Sequence, residues 1–186
     1  MKYGSLLSRV RQLASYLRVL HARATGAMIA PTCSVAAGCD LALGSEFSRT
    51  GKLALGERTT LDTGVILRPY GGSIVTDIDV YLGPHTIVYG HGGVTIGKDT
   101  LISMHCRILS SNHTIPLGLT IIRSQPDRCS ATHIGADVWL GAGVTVLGGV
   151  TIGDRCVVGA GSVVTHDLPA GSIAIGTPAA VYRTRA

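Results

Sequence analysis

The amino-acid sequence predicts an all-β fold, a parallel β-solenoid built from six-residue repeats, and two observations lead to that prediction. Between residues 134 and 169 an aliphatic side chain returns at every sixth position: Ile134, Leu140, Val146, Ile152, Val158 and Val164. Four positions after each stands a second residue suited to a core: Val138, Val144, Val150, Cys156, Ser162 and Leu168. Neither the 3.6-residue period of a helix nor the two-residue period of a strand explains this spacing. Three flat faces per coil of roughly eighteen residues, each with two inward side chains, explain it.

The composition agrees with a core of stacked aliphatic side chains. Aromatic residues make up 4% of the 186 residues, with one Phe and one Trp, which excludes a globular core built on large rings. The 25 glycines suit the tight corners between flat faces. The length fits a single domain.

Less regular repeats precede this block. They start near Pro31, and their predicted inward positions are Ala37, Leu43, Arg49, Leu55, Leu61 and Leu67, with Phe47 among the partner positions. Short insertions around residues 71–72 and 90–93 shift the phase, and the repeats stop at Ile108. We therefore expect a solenoid that is interrupted several times before its regular final part.

The predicted organisation has three parts. A helix occupies residues 1–26, a β-helix domain residues 27–169 and a C-terminal tail residues 170–186. Within the domain, residues 113–132 are irregular and contain two prolines, so we expect an excursion loop that leaves the solenoid. A long loop on a rigid scaffold is a natural place for function.

The N-terminal segment is predicted to be a short basic amphipathic helix over residues 3–24. Its apolar side chains recur at three- and four-residue steps and form one stripe: Leu6, Val10, Leu13, Leu17 and Leu20. The first 26 residues carry five Lys or Arg residues and no acid, and they account for the net charge of +5. Two interpretations stay open. The helix packs on the solenoid end or a neighbouring subunit, or residues 1–24 make a peripheral contact with an anionic membrane.

Other bulk properties narrow the cellular setting. The sequence has no apolar stretch of the ~20 residues that a membrane-spanning helix needs and no signal-peptide pattern, so we expect a cytoplasmic protein, with peripheral inner-membrane contact if the helix binds lipid. The five cysteines form no CxxC motif, as expected of reduced structural thiols. No aromatic residues interleave the basic residues in a binding-platform pattern, so we expect no nucleic-acid partner.

His113 is the strongest candidate for chemistry because it stands where the last coil gives way to the loop. A histidine at a rigid edge beside a loop can act as a general base near neutral pH. A surface histidine without function is the alternative from the residues alone. The sequence shows no obvious acidic partner that would orient the ring.

The sequence resembles the hexapeptide-repeat acyltransferases, in particular their sugar and xenobiotic O-acetyltransferase branch. The resemblance covers roughly residues 50 to 183 and rests on four stretches: Ile96 to His113, Asp137-Val138-Trp139, Gly159-Ala160-Gly161-Ser162 and Gly176-Thr177-Pro178-Ala179. It implies a left-handed parallel β-helix, although parallel crossovers are generally right-handed. It also implies a homotrimer with active sites between subunits, acetyl-CoA as cosubstrate and no metal.

The same resemblance implies the roles of single residues. His113 takes the proton from an acceptor hydroxyl, whose oxygen attacks the thioester directly, and a backbone N–H near Ala142 stabilises the oxyanion. The cofactor groove is lined by Trp139, Ala142, Ala160, Thr165 and Arg183. Simple corner geometry for the two alanines and a solvated C-terminus for Arg183 stay open as alternatives.

The acceptor is expected to be a saccharide, but the galactoside and maltose pattern is absent. That branch carries an Asn and an Asp on the coil before the histidine, where this sequence has Gly83 and Gly90. His85 and His91 lie near these positions in the sequence and are candidates for acceptor binding, with packed or surface roles as the alternative. The loop and the N-terminal helix favour polysaccharide biosynthesis, and antibiotic acetylation is the closest alternative.

Two further functions share the fold. A γ-class carbonic anhydrase needs three histidines on one zinc ion. His85, His91 and His105 are available, but their spacings of six and fourteen do not match that family's two histidines five apart. A non-catalytic trimeric scaffold would need neither the histidine nor the loop.

Overall fold

The computed structural model describes residues 3–46 and 49–185. In the described residues one α-helix, α1 (Tyr3–Ala24), precedes a series of short strands. The strands are β1 (Met28–Ile29), β2 (Ser34–Val35), β3 (Ser45–Glu46), β4 (Arg49–Thr50), β5 (Lys52–Leu55), β6 (Thr60–Leu61), β7 (Ile66–Arg68), β8 (Ser73–Thr76), β9 (Tyr81–Leu82), β10 (Ile87–Tyr89), β11 (Val94–Ile96), β12 (Leu101–Ile102), β13 (Arg107–Leu109), β14 (Ser111–His113), β15 (Asp127–Cys129), β16 (Thr132–Ile134), β17 (Trp139–Leu140), β18 (Thr145–Val146), β19 (Thr151–Ile152), β20 (Val157–Val158), β21 (Val163–Val164), β22 (Ser172–Gly176) and β23 (Ala179–Thr184).

Three sheets form the faces of a triangular solenoid. The first face has the order β1-β5-β8-β11-β16-β19, the second β2-β6-β9-β12-β17-β20-β22-β23 and the third β7-β10-β13-β18-β21. The pairs within these faces are parallel, except that β22 and β23 are antiparallel. Each coil passes from the first face to the second and then to the third. The fold is a left-handed parallel β-helix, which confirms the predicted class.

The core follows the six-residue pattern of the regular block. Ile134 pairs with Ile152, Leu140 with Val158 and Val146 with Val164, so one coil takes eighteen residues. Both predicted inward positions of every repeat from Ile134 to Leu168 are buried. Burying one such aliphatic side chain contributes about 1.5–3 kcal/mol. The stacked rows therefore hold the coils together without large aromatic rings.

The first coil departs from the predicted register. The solenoid starts at Met28, before Pro31. Strands β3 and β4 then form an antiparallel pair that the predicted six-residue register did not include. Ala37 and Arg49, predicted inward, are exposed, and Leu43 is only partly buried. The predicted partner position Phe47 lies outside the described residues. The register is correct again from Leu55 onward, where Leu55, Leu61 and Leu67 are all buried.

Additional residues enter the coils at one corner. Leu53 pairs with Ile74, Ile74 with Val94 and Val94 with Thr132, which are separations of 21, 20 and 38 residues instead of eighteen. All of the excess lies between the third and first faces, where the β3–β4 pair also lies. We call this edge the insertion corner. The insertions therefore stack above one another along one side of the molecule.

Helix α1 packs across the open end of the solenoid, but not through its predicted apolar stripe. Val19 and Ala22 are buried, the Val35 N–H donates to Ser15 Oγ at 2.7 Å, and Arg18 Nη1 donates to the Val35 carbonyl at 3.1 Å. The stripe faces away and is exposed: Val10, Leu13, Leu17 and Leu20. The helix therefore covers the solenoid end with its other face, and the described part of the stripe takes no part in that packing. The side chain of Leu6 lies outside those described, and no described helix is long and apolar enough to cross a membrane.

Within the segment predicted as a C-terminal tail, residues 172–184 extend the second face. Strand β22 pairs in parallel with β20, and the chain then reverses into β23. Residue 186 lies outside the described part. This hairpin forms the last two strands of the second face, at the end of the solenoid opposite α1.

Candidate active site

Part of the predicted irregular loop is an antiparallel hairpin. Strands β14 and β15 pair so that His113 lies opposite Asp127 and Asn112 opposite Arg128. Residues 114–126 form its tip, which includes a 3-10 turn at Ile122–Ser124. The hairpin leaves the solenoid at the insertion corner. Its first strand continues directly from the rigid third face, and this connection fixes where His113 sits.

The hairpin supplies the acidic partner that the sequence analysis did not find. His113 Nδ1 and Asp127 Oδ1 lie 2.6 Å apart. The expectation of no obvious acid partner is therefore wrong, because the strand register joins residues that are fourteen positions apart. A signal was present, since Asp127 is the only acidic residue between Thr100 and Ala136.

This contact defines what the imidazole can do. A carboxylate accepts a hydrogen bond from Nδ1–H, so in the neutral ring the proton lies on Nδ1 and Nε2 carries the lone pair. The His113 side chain is 74% exposed and that of Asp127 is 24% exposed, so the carboxylate sits behind the ring. The arrangement can take a proton at Nε2 and stabilise the resulting imidazolium.

A cavity of about 400 Å³ adjoins His113. Its lining includes Asn112, Arg128, Ser130 and Gly148. A Cβ at Gly148 would lie 2.9 Å from the Ser111 backbone nitrogen, so glycine lets the next coil approach the hairpin. Asn112 and Arg128 offer hydrogen-bond donors to this cavity, from register positions that alternate with those of His113 and Asp127. Sequence reasoning missed both, because only the hairpin register places them on one face.

His91 lies at the insertion corner, one coil before the hairpin. Its ring stacks on Tyr70 with a centroid distance of 4.5 Å and meets the edge of Tyr89 at 5.9 Å. A Cβ on the following Gly92 would lie 2.4 Å from the Ser110 carbonyl oxygen, which shows how closely this turn abuts the coil that carries β14. The corner therefore carries three ring side chains next to the His113 coil.

His85 lies elsewhere on the solenoid. Its ring stacks on His105 at 5.3 Å, at the corner between the second and third faces. The two predicted acceptor residues, His85 and His91, are therefore not brought together within one chain. Residues 3–46 and 49–185 contain no group of three His, Cys, Asp or Glu side chains placed to hold a metal ion.

Three of the predicted cofactor residues share one side of the solenoid. Trp139 is half-exposed on the second face, where Nε1 donates to Ser103 Oγ at 3.2 Å. Ala142 and Ala160 follow at the corner between the second and third faces, one coil apart, with the Gly161 N–H donating to the Ala142 carbonyl at 2.8 Å. We call this edge the alanine corner.

The other two predicted cofactor residues lie apart from this group. Arg183 is exposed on β23, at the end of the second face. Thr165 follows β21 at the insertion corner, where its Oγ1 lies 2.8 Å from His166 Nδ1. One chain therefore places Thr165 on the His113 side and the remaining four residues on or beside the second face.

The cysteines give no sign of nucleophilic chemistry. Burial raises the pKa of the Cys33, Cys106 and Cys156 thiols, and partial burial does the same for Cys39. A raised pKa disfavours the reactive thiolate. Cys129 is exposed on β15.

The fold and this histidine–carboxylate pair point to the hexapeptide-repeat transferases, and comparisons with known proteins agree. The family model described as bacterial transferase hexapeptide (six repeats) matches residues 131–166. Over 146 residues, 72% of each chain, the sequence is 34% identical to an Escherichia coli K12 protein provisionally named lipopolysaccharide biosynthesis O-acetyl transferase WbbJ. The chain belongs to the hexapeptide-repeat acetyltransferases. The predicted enzyme class is confirmed, and neither the carbonic anhydrase nor the non-catalytic scaffold is supported.

Solved structures agree on the fold. AntD, an N-acyltransferase from Bacillus cereus in complex with dTDP and 3-hydroxybutyryl-CoA, superposes with a TM-score of 0.73 at 16% identity, over 92% of this chain and 90% of its own. A maltose O-acetyltransferase from Clostridium difficile 630 gives a TM-score of 0.57 at 24% identity, over 89% of this chain and 73% of its own. At these identities the likeness shows a shared fold alone.

Proposed function

We propose that this chain is an acetyl-CoA-dependent O-acetyltransferase that modifies a sugar hydroxyl in surface polysaccharide biosynthesis, with His113 as the general base. The observation that carries the proposal is the 2.6 Å contact between His113 Nδ1 and Asp127 Oδ1, which leaves Nε2 free to accept a proton beside the cavity. Two similar proteins support the saccharide acceptor: the Escherichia coli protein named for lipopolysaccharide biosynthesis and the maltose O-acetyltransferase.

The proposed reaction is direct transfer. His113 Nε2 removes the proton from the acceptor hydroxyl while that oxygen attacks the acetyl carbonyl carbon of the thioester. The new C–O bond forms, the C–S bond breaks, and the proton held on Nε2 passes to the departing thiolate. The products are an acetyl ester and free CoA. Asp127 stabilises the positive charge that His113 carries between the two proton transfers.

A complete site of this kind needs two copies of the chain. The Ala142 N–H, assigned to the oxyanion, makes no hydrogen bond with residues 3–46 or 49–185 and is available as a donor. It lies at the alanine corner, whereas His113 lies at the insertion corner. The third face separates them by about 15–20 Å, six residues at ~3.3 Å each. We therefore place the insertion corner of one copy against the alanine corner of its neighbour.

The surface supports a closed ring of copies, which we propose is a homotrimer. The hairpin tip exposes five large apolar side chains: Ile115, Leu117, Leu119, Ile121 and Ile122. A contiguous apolar cluster of this size marks an interaction surface. Leu101 and Trp139 on the second face are each about half-exposed and offer an apolar counterpart. A contact between two different patches closes into a ring when the rotation permits.

The groove between copies is the proposed place for acetyl-CoA. The small side chains of Ala142 and Ala160 leave this groove open. The adjacent Gly143 and Gly161 border open space, because a Cβ at either position would meet nothing within 4 Å. Trp139 forms a wall, Thr165 a polar contact from the other copy, and Arg183 a cation for the phosphates. Because acetyl-CoA is a cytoplasmic metabolite, we propose that the active site works in the cytoplasm.

The proposed acceptor site lies at the insertion corner around the 400 Å³ cavity. His91 and its tyrosine neighbours offer ring faces and polar tips to a sugar, and Asn112 and Arg128 offer donors. His85 belongs to the alanine corner and joins this site from the neighbouring copy.

The test starts with calorimetric titration of the full chain with acetyl-CoA, followed by a thiol assay of CoA release with a panel of saccharides. We expect saturable binding near one CoA per chain and release that depends on a hydroxylated saccharide. Absence of binding at millimolar acetyl-CoA would overturn the groove assignment. Release unaffected by any saccharide would overturn the acceptor class.

A further inference from the structure

The outward face of α1 has no function in the site described above. Its apolar side chains, together with Tyr16, are between 41% and 60% exposed: Val10, Leu13, Tyr16, Leu17 and Leu20. At 3.6 residues per turn, Val10 lies about 180° from the buried Val19, and Leu13 about 180° from the buried Ala22. The helix therefore turns its more apolar face directly away from the solenoid.

The exposed stripe is continuous and long. Residues 10 to 20 span about 15 Å of helix at 1.5 Å per residue. Soluble proteins scatter exposed apolar residues singly, whereas a contiguous row marks an interaction surface. Four residues in the last half of α1 make described contacts that hold it on the solenoid: Ser15, Arg18, Val19 and Ala22. The described residues from 8 to 13 are all exposed.

The charged side chains of the N-terminal segment itself are all of one sign. Residues 1 to 26 contain Lys2, Arg9, Arg11, Arg18 and Arg23 and no acidic residue. On a helical projection Arg9 and Arg23 border one edge of the stripe, with Tyr16 between them. Within the described part of the chain no ion pair engages Arg9, Arg11 or Arg23. These cations are therefore available to an external anion.

The charge pattern decides between two kinds of occupant. A second copy of this helix would bring Arg9 and Arg23 close to the same two residues of its partner, and these like charges disfavour pairing of the stripes. An anionic lipid surface satisfies both features, since acyl chains accept the apolar row and phosphates accept the arginines. We propose that the outward face of α1 binds the surface of an anionic phospholipid bilayer, with the helix axis parallel to the membrane plane.

This binding mode leaves the candidate active site accessible. The solenoid rises from the side of α1 opposite the stripe, so the insertion corner with His113 lies on the side wall above the lipid surface. In a ring whose axis runs along the solenoid, every copy would present α1 on the same side, and linked weak contacts reinforce one another. The inference rests on the helix alone and does not depend on acetyl transfer.

The test is flotation of the full chain with vesicles of phosphatidylcholine alone and of phosphatidylcholine mixed with phosphatidylglycerol. We expect partition into the anionic vesicles at least about tenfold above that into neutral ones, because each arginine near the surface adds electrostatic affinity. Added salt should weaken binding by screening the charges. Equal partition into both vesicle types, or none into either, would overturn the proposal.

Matched variants distinguish binding through the stripe from nonspecific adsorption to the vesicles. The double variant Leu13→Gln and Leu17→Gln should lower partition about tenfold or more while circular dichroism stays unchanged, since both side chains are exposed. Tyr182→Gln removes a 70%-exposed ring at the far end of the solenoid and should leave partition unaltered.

A second pair of variants tests the charges. Arg9→Gln with Arg23→Gln should lower partition into anionic vesicles about tenfold, whereas Lys98→Gln, on the solenoid, should have little effect. Wild-type binding by the double leucine variant would overturn the proposal. Dissociation of the oligomer in the same variant, without lipid, would also overturn the proposal, because it would identify the stripe as a protein interface.

Discussion

Asp127 Oδ1 lies 2.6 Å from His113 Nδ1, across the antiparallel β14–β15 pair that leaves the parallel coils. The parallel coils stack identical positions of successive turns, so they bring together residues about eighteen apart. Only the hairpin can place a carboxylate behind a histidine fourteen residues before it. The excursion is therefore part of the proposed catalytic unit as well as a cover for it.

Replacement of the proposed base is the first prediction. His113→Ala should reduce acetyl transfer by about 10²- to 10⁴-fold, the usual contribution of a general base, while acetyl-CoA affinity stays near the wild-type value. Steady-state CoA release and calorimetry measure the two quantities. His133→Ala, an exposed histidine on the first face that bonds Thr95, is the matched control and should retain activity. Transfer by His113→Ala within a few-fold of wild type would refute the assignment.

Removal of the charge behind the ring is the second prediction. Asp127→Asn keeps the size of the side chain but loses the negative charge that stabilises the imidazolium, so kcat should fall about tenfold or more, with KM for acetyl-CoA little changed. Asp127→Glu should restore part of the loss.

The control for this experiment is Ser124→Ala, which removes the Ser124 Oγ hydrogen bond to the Ile121 carbonyl without touching His113. It should keep kcat within about twofold, because a surface substitution of this kind is close to neutral. An equal loss in Ser124→Ala and Asp127→Asn would mean that Asp127 acts through loop structure alone.

The hairpin tip gives the third prediction. Leu117→Gln with Leu119→Gln introduces polar groups into the apolar cluster that we place against a neighbouring copy, so the trimer should dissociate and transfer should fall in parallel. Sedimentation or light scattering reads the mass. The helix variant Leu13→Gln with Leu17→Gln is the control and should keep the trimer mass. An intact trimer in the tip variant would locate the interface elsewhere.

Core packing gives the fourth prediction. Leu140 is fully buried between Ile102 and Val158, so Leu140→Ala should lower the free energy of unfolding by about 2–5 kcal/mol. Leu17→Ala makes the same change at a 56%-exposed position and should shift it by less than about 0.5 kcal/mol in the absence of lipid. Chemical denaturation measures both, and similar losses would mean that the stripe is buried in solution.

Much of the solenoid was predictable because its rule is local. From Leu55 onward, each coil repeats inward side chains at short intervals, and a reader of the sequence can count them. The predicted register was wrong between Ala37 and Arg49, because the β3–β4 pair adds residues there and the sequence does not mark the insertion. It could not show that every insertion falls at one corner, because that requires the pairing of successive coils.

The site was predictable only in part for the same reason. His113 was found from its place at the end of a coil and from the family resemblance. Asp127, Asn112 and Arg128 were not, because their relation to His113 is a strand register inside a segment without periodicity. The helix stripe was read correctly as a pattern, but the sequence left its direction open, because only the structure shows that Ser15, Val19 and Ala22 form the face that fits the solenoid end.

The sequence by itself determined the period, and with it the triangular cross-section, the aliphatic core and the family. These follow from hydrophobic side chains at fixed intervals, a pattern that is visible within every six residues of the chain. The tertiary structure alone decided which residues meet at the insertion corner, which carboxylate supports His113 and which face of α1 stays open. Those relationships join positions many residues apart, and they are set by the packing of whole coils and the register of one hairpin.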